Sequence, residues 1–218
     1  MNVTAKFSTD DLSAVSLSIA KDNGLVEEKM VSFTDFKAVL DASAIAGDSV
    51  RIGHLPKGFY DGTVSATNPL TFRTAIVVPA EVRPLMCYGE TFLVPFPTLL
   101  FTFGVENGYI NRSCVYAVAD KTVTDRSILY EYPYGNVYED GHICWGGNAL
   151  GRVPSCKALD KIVSLFFGSE TNDDLYRNDE YPMQRALIMH VMKKKTFPKS
   201  LLKSKGLSVS MVLNYDKQ

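Results

Sequence analysis

Residues 99–118 read LLFTFGVENGYINRSCVYAV, and this stretch decides the fold class. Its two ends, residues 99–103 and 115–118, are rich in aromatic and β-branched side chains, which favour strands. Between them, Asn107-Gly108 accepts the positive φ angles that a tight hairpin turn requires. The stretch therefore predicts two neighbouring antiparallel strands near the middle of the chain.

The N-terminal part of the chain predicts a hairpin followed by a helix. Apolar residues alternate with serines over residues 15–19, a turn signal follows at Asn23-Gly24, and a second short strand comes next. Ser32 and Asp35 have the spacing of a capping box, and apolar side chains then recur at helical intervals up to residue 40. This part is interpreted as a small α+β unit of unknown role.

The C-terminal half predicts a long loop and two helices. Strand periodicity stops over residues 127–151, where glycines and aromatic residues accumulate. Apolar side chains then recur at helical spacing over residues 156–167 and 183–191. Prolines between residues 79 and 97 are expected on strand edges or in connections.

Taken together, these elements predict an α+β fold. It consists of an antiparallel meander with C-terminal helices, preceded by the hairpin-and-helix unit. Residues 47–68 are the expected seam between an N-terminal unit and the rest of the chain. The predicted domains are therefore residues 1–68 and residues 69–218.

Composition and charge exclude several classes of protein. The chain has 218 residues, 46% of them hydrophobic, and a formal net charge of −1. This charge balance disfavours a nucleic-acid partner. No apolar run approaches the roughly 18 residues that cross a bilayer, and the first residues do not resemble a secretion signal. We therefore expect a cytoplasmic protein that binds neither nucleic acid nor membrane.

The four cysteines do not have the spacing of a zinc site or of a disulfide framework. Three of them lie in periodic apolar segments and are predicted to be core residues: Cys87, Cys114 and Cys156. His54 and His190 show no ligand spacing and are expected to be structural. The prediction is therefore no metal and no cofactor, and Cys144 remains as the cysteine to consider.

Cys144 lies in residues 132–146, which read YPYGNVYEDGHICWG. A partly exposed thiol becomes a useful nucleophile when a nearby dipole stabilises the oxyanion that forms at the attacked carbonyl. Asn136, eight residues upstream, is the candidate for that dipole. His142 is a third candidate catalytic residue, because it precedes the thiol by two residues.

The same residues resemble the active-site signature of ubiquitin-conjugating (E2) enzymes. In that signature His-Pro-Asn is followed by an aliphatic residue, a glycine-containing spacer and Ile-Cys, with the same interval from Asn to Cys. Here Asn136, Val137, Gly141, Ile143 and Cys144 carry the resemblance. Tyr134-Gly135 replaces His-Pro, and Trp145-Gly146 stands where the eukaryotic enzymes usually have Leu-Asp.

Over residues 76–169 the chain is also similar to the bacterial family called PRTRC system protein B, an E2-like family. The matching pieces include Val77-Val78-Pro79, Val94-Pro95-Phe96-Pro97 and Phe166-Phe167-Gly168-Ser169. This resemblance implies a bacterial or plasmid-borne modifier system with a ThiF-like activating enzyme, a ubiquitin-like modifier and a JAB-type peptidase as partners.

The resemblance implies that Cys144 carries the modifier as a thioester and passes it to an amine. Asn136 would donate to the oxyanion, and Glu139, Asp140 and His142 are the candidates to orient or deprotonate the amine. The aromatic residues of the loop, Tyr134, Tyr138 and Trp145, are predicted to form the binding surface, although packing is an alternative for Trp145.

Two other functions stay open at this point. The first is a catalytically inactive E2-like interaction subunit, since a fold and even a motif do not guarantee turnover. The second is a thiol hydrolase that uses Cys144 with His142 or His190 as its base. A hydrolase requires an imidazole within hydrogen-bond reach of the sulfur and a third group that orients this imidazole.

Overall fold

The computed structural model describes residues 2–7, 13–21, 23–46 and 53–213. The chain separates into two compact units, residues 1–49 and 50–218. The strand Phe59–Val64 pairs with the strand Phe72–Val78 of the second unit. The sequence prediction had assigned residues 59–64 to an N-terminal domain ending at residue 68, so this pairing connects them instead to the larger unit.

The N-terminal unit contains strands β1 (Asn2–Phe7), β2 (Ala14–Ala20) and β3 (Val26–Ser32), followed by helix α1 (Phe33–Ala46). Strands β2 and β3 pair as an antiparallel hairpin, and β1 pairs with the other edge of β2. The Ser32 hydroxyl accepts the backbone N–H of Asp35 at 3.0 Å and donates to its carboxylate at 2.7 Å. This reciprocal contact satisfies a free N–H at the start of α1. Strand β1 was not predicted.

In the described part of the larger unit, six strands form one antiparallel sheet in the order β11-β10-β9-β8-β5-β4. These strands are β4 (Phe59–Val64), β5 (Phe72–Val78), β8 (Thr98–Glu106), β9 (Tyr109–Val118), β10 (Ile128–Tyr130) and β11 (Ser204–Ser208). Strands β8 and β9 form the hairpin predicted from residues 99–118. Asn107 and Gly108 have φ angles of 52° and 83°, which are those of its tight turn.

A second hairpin, β6 (Glu81–Cys87) and β7 (Glu90–Phe96), forms a separate two-stranded sheet. Pro84 lies opposite Leu93, and Pro95 lies opposite Val82. Both strands of a two-stranded sheet are edges, so the missing proline N–H groups are tolerated. The prolines therefore lie on edges, as expected, but the sequence analysis did not recognise that they belong to paired strands.

The helices of the larger unit follow the long loop. They are α2 (Leu159–Gly168), α3 (Gln184–Val191) and the short α4 (Val209–Leu213). The regions predicted to be helical, 156–167 and 183–191, correspond to a 3₁₀ turn (Cys156–Ala158) with α2, and to α3.

The core lies on both faces of the large sheet, because side chains alternate along β8. Leu99, Phe101 and Phe103 pack with α2, α3 and the β6–β7 hairpin, whereas Leu100 packs in a second cluster with Val209 of α4. Strands buried on both faces read as continuous apolar runs, as residues 99–103 do. The fold thus places β6–β7, α2 and α3 beside the loop that follows β10.

Candidate active site

The loop that follows β10 begins with buried aromatic residues. Tyr134 is 1% exposed, its hydroxyl donates to the Pro95 carbonyl at 2.8 Å, and its ring lies 5.0 Å from that of Phe96 and 6.0 Å from that of Phe197. Burial raises its pKa well above the ordinary value for tyrosine. Tyr134 was predicted to belong to a binding surface. Its ring is buried in the core instead, where it packs beneath the loop.

Asn136 lies in the left-handed region, with φ of 68°. Asparagine adopts this conformation more readily than most other residues that carry a side chain. Its side-chain amide donates to the Glu170 carbonyl at 2.7 Å, which holds the amide in a defined direction. Its own backbone carbonyl accepts the N–H of Cys144 at 2.8 Å. The main chains of Asn136 and Cys144 are therefore in direct contact.

Residues 136–144 fold back on themselves in a compact, hairpin-like loop. Val137 and Ile143 face each other across an isolated antiparallel bridge, and both are buried. The N–H of Tyr138 donates to the His142 carbonyl at 2.8 Å. Because side chains alternate along extended segments, Tyr138 and Cys144 project away from the buried pair. Tyr138 is 48% exposed and Cys144 is partly exposed.

A close approach fixes the tip of this loop on the sheet. Gly141 has φ of 96°, and a Cβ atom there would overlap the ring of Tyr116. Its carbonyl accepts the N–H of Val115 at 2.9 Å, and the N–H of Ile143 donates to the Ser113 carbonyl at 3.0 Å. These bonds attach the loop to β9, so the thiol is presented by an ordered segment.

The Tyr138 side chain contacts the sulfur. Its hydroxyl donates to Cys144 Sγ at 3.8 Å. The hydrogen bond to Cys144 raises the pKa of Tyr138, so the phenol keeps its proton and remains a donor at neutral pH. Tyr138 was predicted to belong to a binding surface, and the structure places it directly beside the thiol.

His142 pairs with Asp140 in the structure. Its ring Nδ1 lies 2.9 Å from Asp140 Oδ2, and its backbone N–H donates to Oδ1 at 3.0 Å. The backbone hydrogen bond from His142 and the ring contact together hold the pKa of Asp140 below its usual value. Glu139, the third candidate for handling an amine, pairs with Arg177 at 2.7 Å.

Trp145, which follows Cys144 in the chain, is partly buried. Its indole N–H donates to Ser113 Oγ at 2.9 Å, and its ring meets the edge of Phe166 at 6.3 Å between centroids. These contacts favour a packing role for Trp145, which the sequence analysis gave as the alternative to a binding surface. The ring fixes the segment that follows Cys144 against α2.

Comparison with known families locates this loop within a matched region. The family model described as prokaryotic E2 family D matches residues 80–205, which contain Asn136, Cys144 and the surrounding loop. The chain belongs to prokaryotic E2 family D. The mostly antiparallel sheet with a few helices is consistent with an E2-like fold. The searches found no matching curated protein and no matching solved structure.

In this E2 family member the other three cysteines are buried, as predicted. Their exposed fractions are 1% for Cys87, 0% for Cys114 and 6% for Cys156. Burial raises the pKa of Cys156, whose sulfur lies 3.1 Å from the hydroxyl of Thr74. These positions are typical of inert core thiols.

Brief treatment of the native protein with iodoacetamide is therefore expected to alkylate Cys144 first. The reason is access, since alkylating the buried cysteines requires local opening of the core. Peptide mapping by mass spectrometry after short reaction times measures the four rates separately. Alkylation of Cys144 no faster than that of Cys114 would contradict the assignment of an accessible thiol.

The ring of His190 packs against Tyr181 at 5.0 Å, which is consistent with the structural role expected for it. Among the residues that the structure describes, no group of at least three histidine, cysteine and carboxylate side chains is arranged to hold a metal ion. Within the same ranges, no helix is both long and apolar enough to span a bilayer.

The sequence did not identify Glu170 and Gln184, two residues that hold the E2-like loop in place. Glu170 supplies the carbonyl that binds Asn136, and Gln184 accepts the N–H of Gly135. Both lie more than 30 residues from the loop in sequence, at separations of 34 and 49. A fully buried glutamine at the first position of a helix is unusual, but its burial is not visible in a single sequence.

Proposed function

We propose that the protein carries a ubiquitin-like modifier as a thioester on Cys144 and transfers it to an amine. The observation that carries this proposal is the arrangement of Cys144 and Asn136. A partly exposed thiol and an oriented side-chain amide belong to two residues whose main chains are hydrogen-bonded to each other, in a loop of an E2 family member. Exposure of the sulfur also argues against an inactive interaction subunit.

The first step is transfer of the modifier from an activating enzyme. The Cys144 sulfur attacks the thioester carbonyl, a new C–S bond forms, and the bond to the sulfur of the activating enzyme breaks. The activating enzyme recovers its thiol, so atoms and charge balance without a cofactor. A cysteine thiol is nucleophilic enough for this exchange without an elaborate relay. The Tyr138 hydroxyl donates a hydrogen bond to this sulfur at 3.8 Å.

The second step is aminolysis. An amine attacks the thioester carbonyl, the oxygen becomes an oxyanion, and the C–S bond then breaks to leave an amide and the free Cys144. The Asn136 amide has two N–H donors, and its contact with the Glu170 carbonyl uses one of them. The second is the donor proposed for the oxyanion. The amine loses one proton, for which the exposed pair of Asp140 and His142 is the nearest candidate acceptor in sequence.

The proposed partners follow from the resemblance rather than from the geometry of the site. They are a ThiF-like activating enzyme and a ubiquitin-like modifier, with a JAB-type peptidase in the same bacterial PRTRC system. Residues 76–169, which resemble PRTRC system protein B, overlap most of the matched residues 80–205. In this proposal the chain acts in the cytoplasm as the protein B of that system.

Thiol hydrolysis is the second candidate, and the observation that favours it is the Asp140–His142 pair. A carboxylate that orients an imidazole is part of the arrangement that a thiol hydrolase requires. In the described part of the chain, however, the hydrogen-bond partner of the sulfur is the Tyr138 hydroxyl and not an imidazole. This geometry supports carriage better than hydrolysis.

Reconstitution with a candidate activating enzyme, its modifier and ATP tests the proposal. We expect a reductant-sensitive adduct that persists in buffer and is consumed when free lysine is added. Release of the modifier to water at the same rate with and without lysine would favour the hydrolase instead. If the activating enzyme itself becomes charged but no adduct forms on this protein, the result would favour the inactive subunit.

A further inference from the structure

Gln184, the first residue of α3, is 0% exposed and uses both ends of its side-chain amide. Its oxygen accepts the backbone N–H of Gly135, and its nitrogen donates to Thr171 Oγ1 at 2.7 Å and to Cys87 Sγ at 3.1 Å. A buried amide that is satisfied at both ends fixes its partners relative to one another. Gln184 therefore connects the loop, the segment after α2 and strand β6.

The segment after α2, residues 170–173, is itself fixed to the turn of the β6–β7 hairpin. Both the N–H and the hydroxyl of Thr171 donate to the Met86 carbonyl, at 2.8 Å and 3.0 Å. The carboxylate of Glu170 accepts the N–H of Gly89 in the hairpin turn. With Gln184 bound to Thr171, this segment has little freedom to move.

The segment 170–173 also binds the side-chain amide of Asn136, which is the proposed donor to the oxyanion. Asn136 donates to the Glu170 carbonyl at 2.7 Å, next to Thr171, while the preceding residue Gly135 donates to Gln184. Two consecutive residues of the loop are therefore bound to one rigid assembly. A displacement of Gln184 would alter both attachments.

The departure of this chain from the eukaryotic E2 signature fits these contacts. Gly135 stands where those enzymes have proline, and a proline has no N–H to donate to Gln184. A Cβ atom at residue 135 would also overlap the carbonyl oxygen of Asn172. Gly135 and Gln184 thus form a matched pair. Gly135 supplies the N–H donor and has no Cβ to prevent the close approach, and Gln184 supplies the acceptor oxygen.

We propose that Gln184 is a positioning residue, which sets the direction of the Asn136 amide relative to Cys144 through Gly135 and Thr171. The catalytic part of this proposal rests on the proposed function, because only aminolysis uses the amide as an oxyanion donor. A small misplacement of a catalytic group lowers rates by up to about 100-fold. The positional part stands on the hydrogen bonds alone.

The test uses Gln184→Met in the full chain, because methionine keeps the volume and removes the three side-chain hydrogen bonds to Gly135, Thr171 and Cys87. We expect faster hydrogen exchange of the Gly135 backbone amide and a shifted Asn136 side-chain resonance, both measured by NMR. We also expect charging of Cys144 to be retained while single-turnover discharge to lysine falls by about 10-fold to 100-fold. A general loss of stability would lower charging and discharge together.

Two further variants separate positioning from folding. Thr171→Val breaks the link between Gln184 and the Met86 carbonyl but keeps the Gly135 bond, so a smaller effect in the same direction is expected. Thr74→Val is the matched control, because it removes another buried hydroxyl, one that is 3.1 Å from Cys156. This control should leave the Asn136 resonance and the discharge rate unchanged.

The outcomes distinguish this inference from the proposed function. Discharge by Gln184→Met equal to that of Thr74→Val would overturn the positioning role. If the wild-type protein never charges, the proposed function fails, and the NMR measurement still decides the positional part. In that case, if Gln184→Met leaves the hydrogen-exchange rate of the Gly135 amide and the Asn136 side-chain resonance unchanged, the positional part is overturned as well.

Discussion

Replacing Cys144 with alanine is expected to abolish the reductant-sensitive adduct completely. The sulfur is the atom that forms the thioester bond, and the other three cysteines are buried in the core. Cys144→Ser is expected to charge more slowly, because a hydroxyl is a much weaker nucleophile than a thiol. Any adduct it forms should resist reductant and discharge slowly, because oxygen is a poorer leaving group than sulfur.

Cys114→Ala is the matched control for this prediction. It also removes one sulfur atom, but from a residue that is 0% exposed and packs in the second core cluster. The control variant is expected to charge like the wild-type protein, apart from a modest loss of stability. Charging is measured by non-reducing gel electrophoresis at matched fractions of folded protein. An undiminished adduct in Cys144→Ala would end the thioester assignment.

Substitution of Asn136 is expected to preserve charging and slow discharge by roughly 10²-fold to 10³-fold, the usual cost of losing one oxyanion donor. The donor acts on charge that develops as the amine attacks, so the aminolysis step should carry most of the loss. Asn136→Asp keeps the shape of the side chain but has no N–H to donate. Single-turnover discharge to free lysine isolates this step from charging.

The backbone of Asn136 requires its own control. Its φ of 68° strains alanine, whereas glycine adopts this angle at little cost, so Asn136→Gly removes the amide without that strain. Asn107→Gly is the matched variant, because Asn107 also has a positive φ, of 52°, but lies in the β8–β9 turn. It should discharge normally. Equal discharge rates for Asn136→Gly and the wild-type protein would remove the role assigned to Asn136.

The parts of the fold that local sequence determines were predicted well. The β8–β9 hairpin depends on Asn107-Gly108 and two apolar runs, and helices α2 and α3 depend on their own apolar spacing. The relation of Asn136 to Cys144 also has a local basis, since both lie in one short loop. Patterns of this kind are complete within a few residues, so a single sequence carries them.

The parts that depend on distant pairing were not predicted. Pro84 and Pro95 obscured the β6–β7 hairpin, because proline usually interrupts a strand and only the pairing shows that both strands are edges. The Tyr134 hydroxyl finds its acceptor 39 residues away, so its side chain was assigned to a surface although it is buried. The contact of Gln184 with Gly135 spans 49 residues and has no local signature.

The most direct test of the central claim is the intact mass of the full-length protein after incubation with a candidate activating enzyme, its modifier and ATP. The account predicts a mass increase equal to one modifier minus one water. The increase should disappear on treatment with a thiol reductant and should be missing in Cys144→Ala. A wild-type mass that stays unchanged while the activating enzyme itself becomes charged, or an increase that persists in Cys144→Ala, would contradict it.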